Sequence, residues 1–171
     1  MPLYDLDKLI ESKIHLYSKG VSSQRIKILI SYSGGVDSSV LLYIVNKLST
    51  KIGFELSFVY INHKMNPNDK NIRRHCEYLA NNYGSSFIYK EIEAIPTSNK
   101  ESFLRNYRYK CIKKLCNKHM YDFVFTGHHF DDQLETIFMR ASGNYDWTNL
   151  FGIYEFNGLI RRPMLKIKKY Q

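Results

Sequence analysis

The stretch IKILISYSGGVDSSVLLYIVNKL, Ile26 to Leu48, joins a short apolar run to a longer one through a turn of glycines and hydroxyl residues. Ile26 to Ser31 reads as a buried strand, and the apolar run to Leu48 is long enough for a helix, so the polar turn lies at a strand-to-helix junction. That position gives the turn its meaning. In Ser33-Gly34-Gly35-Val36-Asp37-Ser38, two glycines let the backbone approach an anion, successive amides form a nest, and the helix start adds partial positive charge. Phosphate is the natural occupant. Ser33 and Ser38 offer hydroxyl donors, whereas Asp37 repels phosphate and makes sense as a ligand for Mg²⁺. The competing reading is an ordinary glycine turn with Asp37 or Ser38 as helix N-cap. A Walker A loop is excluded, because no GxxxxGK(S/T) occurs.

Outward from the junction the same alternation repeats. A short amphipathic helix carrying Leu6, Leu9, Ile10, Ile14 and Leu16 precedes it and ends by Gly20, giving a covering helix over about residues 1–19. After it come a strand Glu55 to Asn62, a helix Asn68 to Tyr83 stopped by Gly84, and a strand Ser86 to Ile92. A helix over roughly Lys100 to His119, the strand YDFVFTG and a helix from about Asp131 to Arg140 complete the series. Alternation of this kind predicts an α/β fold, a Rossmann-like open parallel sheet with helices on both faces. Ligands of such sheets bind at the carboxyl ends of the strands. From residue 144 to 171 the text turns irregular and basic, and it stops without a cap or turn, so the natural chain is expected to continue.

The 171 residues, with 44% hydrophobic and 24% charged, fit one globular domain and exclude disordered, collagen-like and disulfide-scaffold classes. Of the net charge of +9, five positives lie in the last eleven residues (Arg161, Arg162, Lys166, Lys168, Lys169). A basic balance suits a polyanion such as nucleic acid, or merely a solvated surface. Cys76, Cys111 and Cys116 form no C-x-x-C pair, which suggests neither a disulfide framework nor a zinc ribbon and points to a reducing, cytoplasmic setting. No run of 18 apolar residues calls for a membrane. Nothing in the chain fixes an oligomeric state, and a homodimer is compatible with it.

Two further segments carry chemistry. In TGHHFDDQLET, Thr126 to Thr136, the helix after Gly127 would place His128, Asp132, Glu135 and Thr136 on one face. If Asp132 faces Asp37, two carboxylates and phosphate oxygens make a Mg²⁺ site, with an imidazole of His128 or His129 near the developing charge. Helix-start stabilisation by Asp131, Asp132 and Glu135 is the alternative. In ESFLRNYRY, Glu101 to Tyr109, Arg105, Arg108 and Tyr109 share a helical face able to grip phosphate, or to form a solvated salt-bridged surface.

Ser33 to Ser38 resembles the SGGxDS loop of ATP pyrophosphatases, which cleave ATP to AMP and pyrophosphate and adenylate a carbonyl oxygen. Within that superfamily, FVYIN running into His63, the E-x-x-x-R-x-x-R-Y pattern of Glu101 to Tyr109, the GHHxDDQxET pattern and IRRPML (Ile160 to Leu165) are similar to segments of tRNA(Ile)-lysidine synthetases. Leu104 stands where that family usually has alanine, and Met164 where it has leucine. The resemblance implies the adenine nucleotide alpha hydrolase-like fold, ATP and Mg²⁺, L-lysine, and a tRNA(Ile) with a CAU anticodon. It implies ATP contacts from Ser33 to Ser38 and His63, metal ligation by Asp37 and Asp132, and stabilisation of developing charge by Arg105 and His128. Phosphate or tRNA would meet Arg108, Tyr109, Arg161 and Arg162. Further domains that help select tRNA follow the catalytic one in that family, and these 171 residues are expected to lack them. A tRNA thiolase and a catalytically idle nucleotide- or RNA-binding module are the rival readings.

Overall fold

In the computed structural model, which describes residues 3–93, 96–142 and 152–169, strands and helices alternate as the spacing predicts. The strands are β1 (Lys27–Tyr32), β2 (Glu55–Asn62), β3 (Ser86–Glu91), β4 (Phe123–Thr126), β5 (Phe156–Asn157) and β6 (Ile160–Arg161). The helices are α1 (Leu3–Ser18), α2 (Val36–Ile52), α3 (Asp69–Tyr83), α4 (Lys100–His119) and α5 (Phe130–Ser142). Glycines in the left-handed conformation, Gly53 at φ 88° and Gly84 at φ 62°, end α2 and α3, each returning its amide to the last helical turn.

The sheet runs in the order β3-β2-β1-β4-β6-β5, parallel throughout except where β5 pairs antiparallel with β6. Strand order reverses between β1 and β4. Right-handed crossovers therefore lay α2 and α3 on one face, and carry α4 back across the other. Side-chain alternation follows: Ile28 and Ile30 of β1 join Phe58, Leu41, Ile44 and Ile10 in one core, while Leu29 joins Val59, Val124, Ile112 and Leu115 in the second. β2 is buried along nearly its whole length, as an interior parallel strand must be.

The expected parallel sheet is present, with the short antiparallel β5 added at its edge. One expectation is corrected: the carboxyl-terminal stretch is not irregular throughout, since Ile160 and Arg161 pair with Val124 and Phe125 of β4, and Arg162 to Leu165 are buried. Apolar Ile160, Met164 and Leu165 outweigh the local charge because the unpaired edge of β4 offers both hydrogen bonds and a core to fill. Residues 144–151 of that stretch lie outside the described residues. In α1 the buried line is Ile10, Ile14 and Tyr17, with Leu16 turned to solvent, because the helical repeat carries position 17 rather than 16 back to the core.

Candidate functional site

Buried polar side chains mark one edge of the sheet. Of six buried polar side chains among the described residues, five (Ser38, Asn62, Thr126, His129 and Arg162) lie at or just beyond strand carboxyl ends, and Ser57 lies within β2. Desolvated polar groups are costly, so their gathering at one edge is a functional signature rather than a packing solution. There a cavity of about 790 Å³ opens at the switch between β1 and β4. Ser33, Asp37, Ser38, His63, Arg105, Arg108, Tyr109, His128, Asp132 and Arg162 line it. Gly34, Gly35, Val36 and Arg161 do not.

The loop after β1 is held by its own hydroxyls. Ser33 Oγ lies 3.0 Å from Ser38 Oγ, Ser38 Oγ and Ser39 Oγ each donate to the Gly35 carbonyl at 2.9 Å, and Tyr32 Oη meets Ser39 Oγ at 2.9 Å. Gly35 is the N-cap of α2 and no side chain caps the helix. The alternative in which Asp37 or Ser38 caps α2 is thereby set aside, and the first-turn amides keep their capacity for an anion. Gly34 takes φ 82°, and a methyl there would press Ile72 at 3.1 Å.

Gly127, beyond β4, is the position that sequence reasoning passed over. A Cβ on it would stand 3.0 Å from Ser38 N and 3.1 Å from the Asp37 carbonyl carbon, so only glycine lets the exit of β4 rest on the start of α2. That contact brings the GHHxDDQ segment to the loop. The helix that follows begins at Phe130, so His128 sits in the connection and not on a helical face with Asp132 and Glu135; this corrects the expected single face. His129 is the N-cap. Its Nδ1 accepts the Asp131 amide at 3.2 Å, and Asp132 Oδ2 accepts the His129 amide at 2.7 Å, a reciprocal cap closed by histidine instead of serine or threonine. With Nδ1 accepting, the proton of the neutral ring is assigned to Nε2. Nε2 lies 3.6 Å from Asp37 Oδ2 and 3.6 Å from Asp132 Oδ2. Gln133, also without an expected role, accepts the Ile153 amide at 2.7 Å and so fixes a wall of the cavity.

His128 Nδ1 lies 2.8 Å from Thr126 Oγ1. Burial first, then the Arg162 guanidinium, lower its pKa to about 4, so the imidazole is neutral near pH 7 and acts as a hydrogen-bonding group, not a cation. Arg108 Nη2 donates to His63 Nε2 at 3.3 Å, and burial and that guanidinium hold the His63 pKa below the usual value. Arg105 lies against the Tyr109 ring at 5.7 Å, and Arg162 donates to Tyr109 Oη at 3.2 Å and to the Tyr154 carbonyl. Arg161 points elsewhere: its guanidinium stands over the rings of Tyr17, Phe123 and Phe156 at 5.7, 5.5 and 5.1 Å. The tail turns inward as well. Ile167 accepts the Phe130 amide, the Lys169 amide donates to Asp131 Oδ2, and Lys169 Nζ reaches Asp37 Oδ2 at 3.4 Å.

Among the described residues no group of three or more histidine, cysteine or carboxylate side chains is arranged around a metal. Two carboxylates facing one histidine nitrogen fit instead a Mg²⁺ shared with phosphate oxygens and water, since that ion commonly takes only one or two protein carboxylates.

Comparison with known proteins follows this geometry. The chain is similar to the tRNA(Ile)-lysidine synthase of Buchnera aphidicola subsp. Schizaphis graminum, 36% identical over 94% of this chain and 36% of that protein. It is likewise similar to that of Legionella pneumophila strain Paris, 38% identical over 81% of this chain and 32% of that one. The chain thus spans about a third of the length of these curated relatives. Among solved structures, the U34-tRNA thiolase NcsA of Methanococcus maripaludis superposes with a TM-score of 0.68 over 96% of this chain and 62% of its own, at 18% identity. That likeness establishes the adenine nucleotide alpha hydrolase-like fold. The family model described as the PP-loop domain matches residues 6–171, and the chain belongs to that family.

Proposed function

We propose that this chain is the adenylating part of a tRNA(Ile)-lysidine synthetase, acting in the cytoplasm on ATP, L-lysine and a tRNA(Ile) with a CAU anticodon. The observation that carries the reading is the convergence of Ser33, Asp37, Ser38, Arg105, Arg108, His128 and Asp132 on one cavity at the β1–β4 switch. Sequence similarity to lysidine synthases along most of the chain supports the same substrate class.

In the first step the C2 carbonyl oxygen of the wobble cytidine attacks the α-phosphorus of ATP, an O–P bond forms, and the bond to pyrophosphate breaks. In the second the lysine ε-nitrogen attacks C2, the C2–O bond breaks, and AMP leaves as the amine loses a proton. The Ser33 and Ser38 hydroxyls and the first-turn amides of Asp37 and Ser38, which border the cavity, hold the polyphosphate, and His63 lies beside the nucleotide. Asp37 and Asp132 would hold Mg²⁺, which supplies Lewis-acid neutralisation of the leaving pyrophosphate. Arg105 and the neutral His128 place donors at the developing charge, and Arg108, Tyr109 and Arg162 line the side where an RNA phosphate enters. Catalysis of this kind is positioning plus electrostatics in a preorganised site.

The thiolase reading needs a reactive thiol. Burial pushes Cys76 up to about 12 and Cys116 up to about 11, and none of the three cysteines lines the cavity. The test is incubation of the protein with ATP, Mg²⁺, labelled lysine and tRNA(Ile). AMP release with label retained in the tRNA is the expected result. Sulfur transfer without lysine, or ATP binding with no AMP under any condition, overturns the proposal.

A further inference from the structure

His129 uses both nitrogens of its ring, and capping α5 needs only one. Serine, threonine, aspartate and asparagine are the usual residues ahead of a helix, because a short side-chain oxygen reaches the first free amides. Here that position carries an imidazole, whose Nδ1 accepts the Asp131 amide at 3.2 Å. A short cap would end there. The imidazole extends one ring width further and turns Nε2 toward Asp37 Oδ2 and Asp132 Oδ2, each at 3.6 Å. With Nδ1 accepting, the ring proton is assigned to Nε2, a donor aimed between two acceptors.

Burial fixes where this donor can act. The His129 side chain is 9% exposed, whereas those of Asp37 and Asp132 are 32% and 34% exposed. Both carboxylates line the cavity, and the histidine does not. His129 therefore stands behind the pair, out of reach of a ligand and against both groups that face one. In each carboxylate it is Oδ2 that meets the ring, so Oδ1 remains for the cavity. The two acids come from separate crossovers, α2 and α5, and their like charges repel unless a third group holds them. Asp132 is tied to His129 a second time, since its Oδ2 also accepts the His129 amide at 2.7 Å. Asp37 is met from the other side by Lys169 Nζ at 3.4 Å, an exposed ammonium on a long stem that holds less firmly than a buried ring.

We infer that His129 is a positioning residue: through Nε2 it holds Asp37 and Asp132 at a separation that one divalent cation can bridge, without itself ligating the ion. The inference rests on the proposed metal ligation by Asp37 and Asp132, and adds to it the group that sets their spacing. Side chains that orient metal ligands from behind are worth about 10- to 100-fold in metal affinity.

The test uses Mn²⁺ as the probe in the presence of ATP, with affinity read from the paramagnetic resonance of the free ion. His129→Asn keeps a cap, because its Oδ1 can accept the Asp131 amide, and removes the nitrogen that reaches the acids. His129→Ala removes both. The urea midpoint should fall for the alanine variant and stay near that of the unaltered chain for asparagine, while Mn²⁺ affinity falls about 10- to 100-fold in both. With isotopically labelled histidine, the spin-echo spectrum of bound Mn²⁺ should show no directly coordinated nitrogen that is lost in His129→Asn. Such a lost nitrogen would make His129 a ligand and overturn the inference. Undiminished Mn²⁺ affinity in the asparagine variant also overturns it; the metal reading then stands if Asp37→Asn still lowers that affinity, and falls with it otherwise. If the unaltered chain with ATP holds no Mn²⁺, both fall together.

Discussion

Asp37 at the start of α2 and Asp132 in the first turn of α5 each place Oδ2 within 3.6 Å of one nitrogen, Nε2 of His129. Two carboxylates from separate crossovers are thus held beside each other around a single ring. Their mutual repulsion is offset by that imidazole and, at Asp37, by the Lys169 ammonium. Asp37→Asn keeps the size of the side chain and removes the charge. It should lower AMP release by about 10²- to 10³-fold, the loss typical of one electrostatic contributor. Mn²⁺ affinity, read by paramagnetic broadening in the presence of ATP, should fall in parallel. Undiminished metal affinity would separate Asp37 from the ion.

Gly127 and Gly35 lie close together in space yet should respond oppositely to alanine. At Gly35 the nearest atom to a new Cβ is Ser33 Oγ at 3.5 Å, an ordinary contact, and stability should change by less than about 1 kcal/mol. At Gly127 the obstacle is the backbone of Asp37 and Ser38, which cannot rotate away, and overpacking should cost about 1–3 kcal/mol. Urea denaturation of the two variants makes the comparison.

The His128 imidazole ordinarily titrates near 6.5, and in the folded chain near 4. Between these values the unfolded state binds the proton more readily, so the His128 contribution is fully present above pH 6.5 and is lost as pH falls through 4. His128→Asn should therefore flatten the acid limb of the melting temperature between pH 4 and 6.5. An unchanged limb in the variant would assign it to other groups.

Arg161, expected from its place in a basic tail to meet RNA, packs on three aromatic rings and joins α1 to the sheet edge. Arg161→Ala should cost about 1–2 kcal/mol of stability through lost cation–π contact and packing. Its effect on the salt dependence of tRNA binding should be negligible. A reduced salt slope in this variant would return Arg161 to the RNA surface.

Much of the molecule was written locally. The glycine-rich turn between an apolar strand and an apolar helix, repeated strand–helix alternation, and Gly84 as a helix stop depend on neighbours a few residues apart, so periodicity and backbone preference suffice to read them. The placement of Asp37, Arg105, His128 and Asp132 at the ligand edge of the sheet was legible for the same reason, each lying in a compact motif at a strand end or on one helical turn. What periodicity could not supply was contact between distant segments. The role of Gly127 exists only because β4 rests on α2, that of His129 only because α5 begins at Phe130 and leaves that ring to cap it, and the burial of Arg162 to Leu165 only because β4 had an edge to fill. Charge counted along the chain treated the tail as one block; burial and pairing, which are properties of the packed chain, divide it, turning Arg161 onto aromatic rings and Arg162 onto Tyr109 and Tyr154 while Lys166, Lys168 and Lys169 stay exposed.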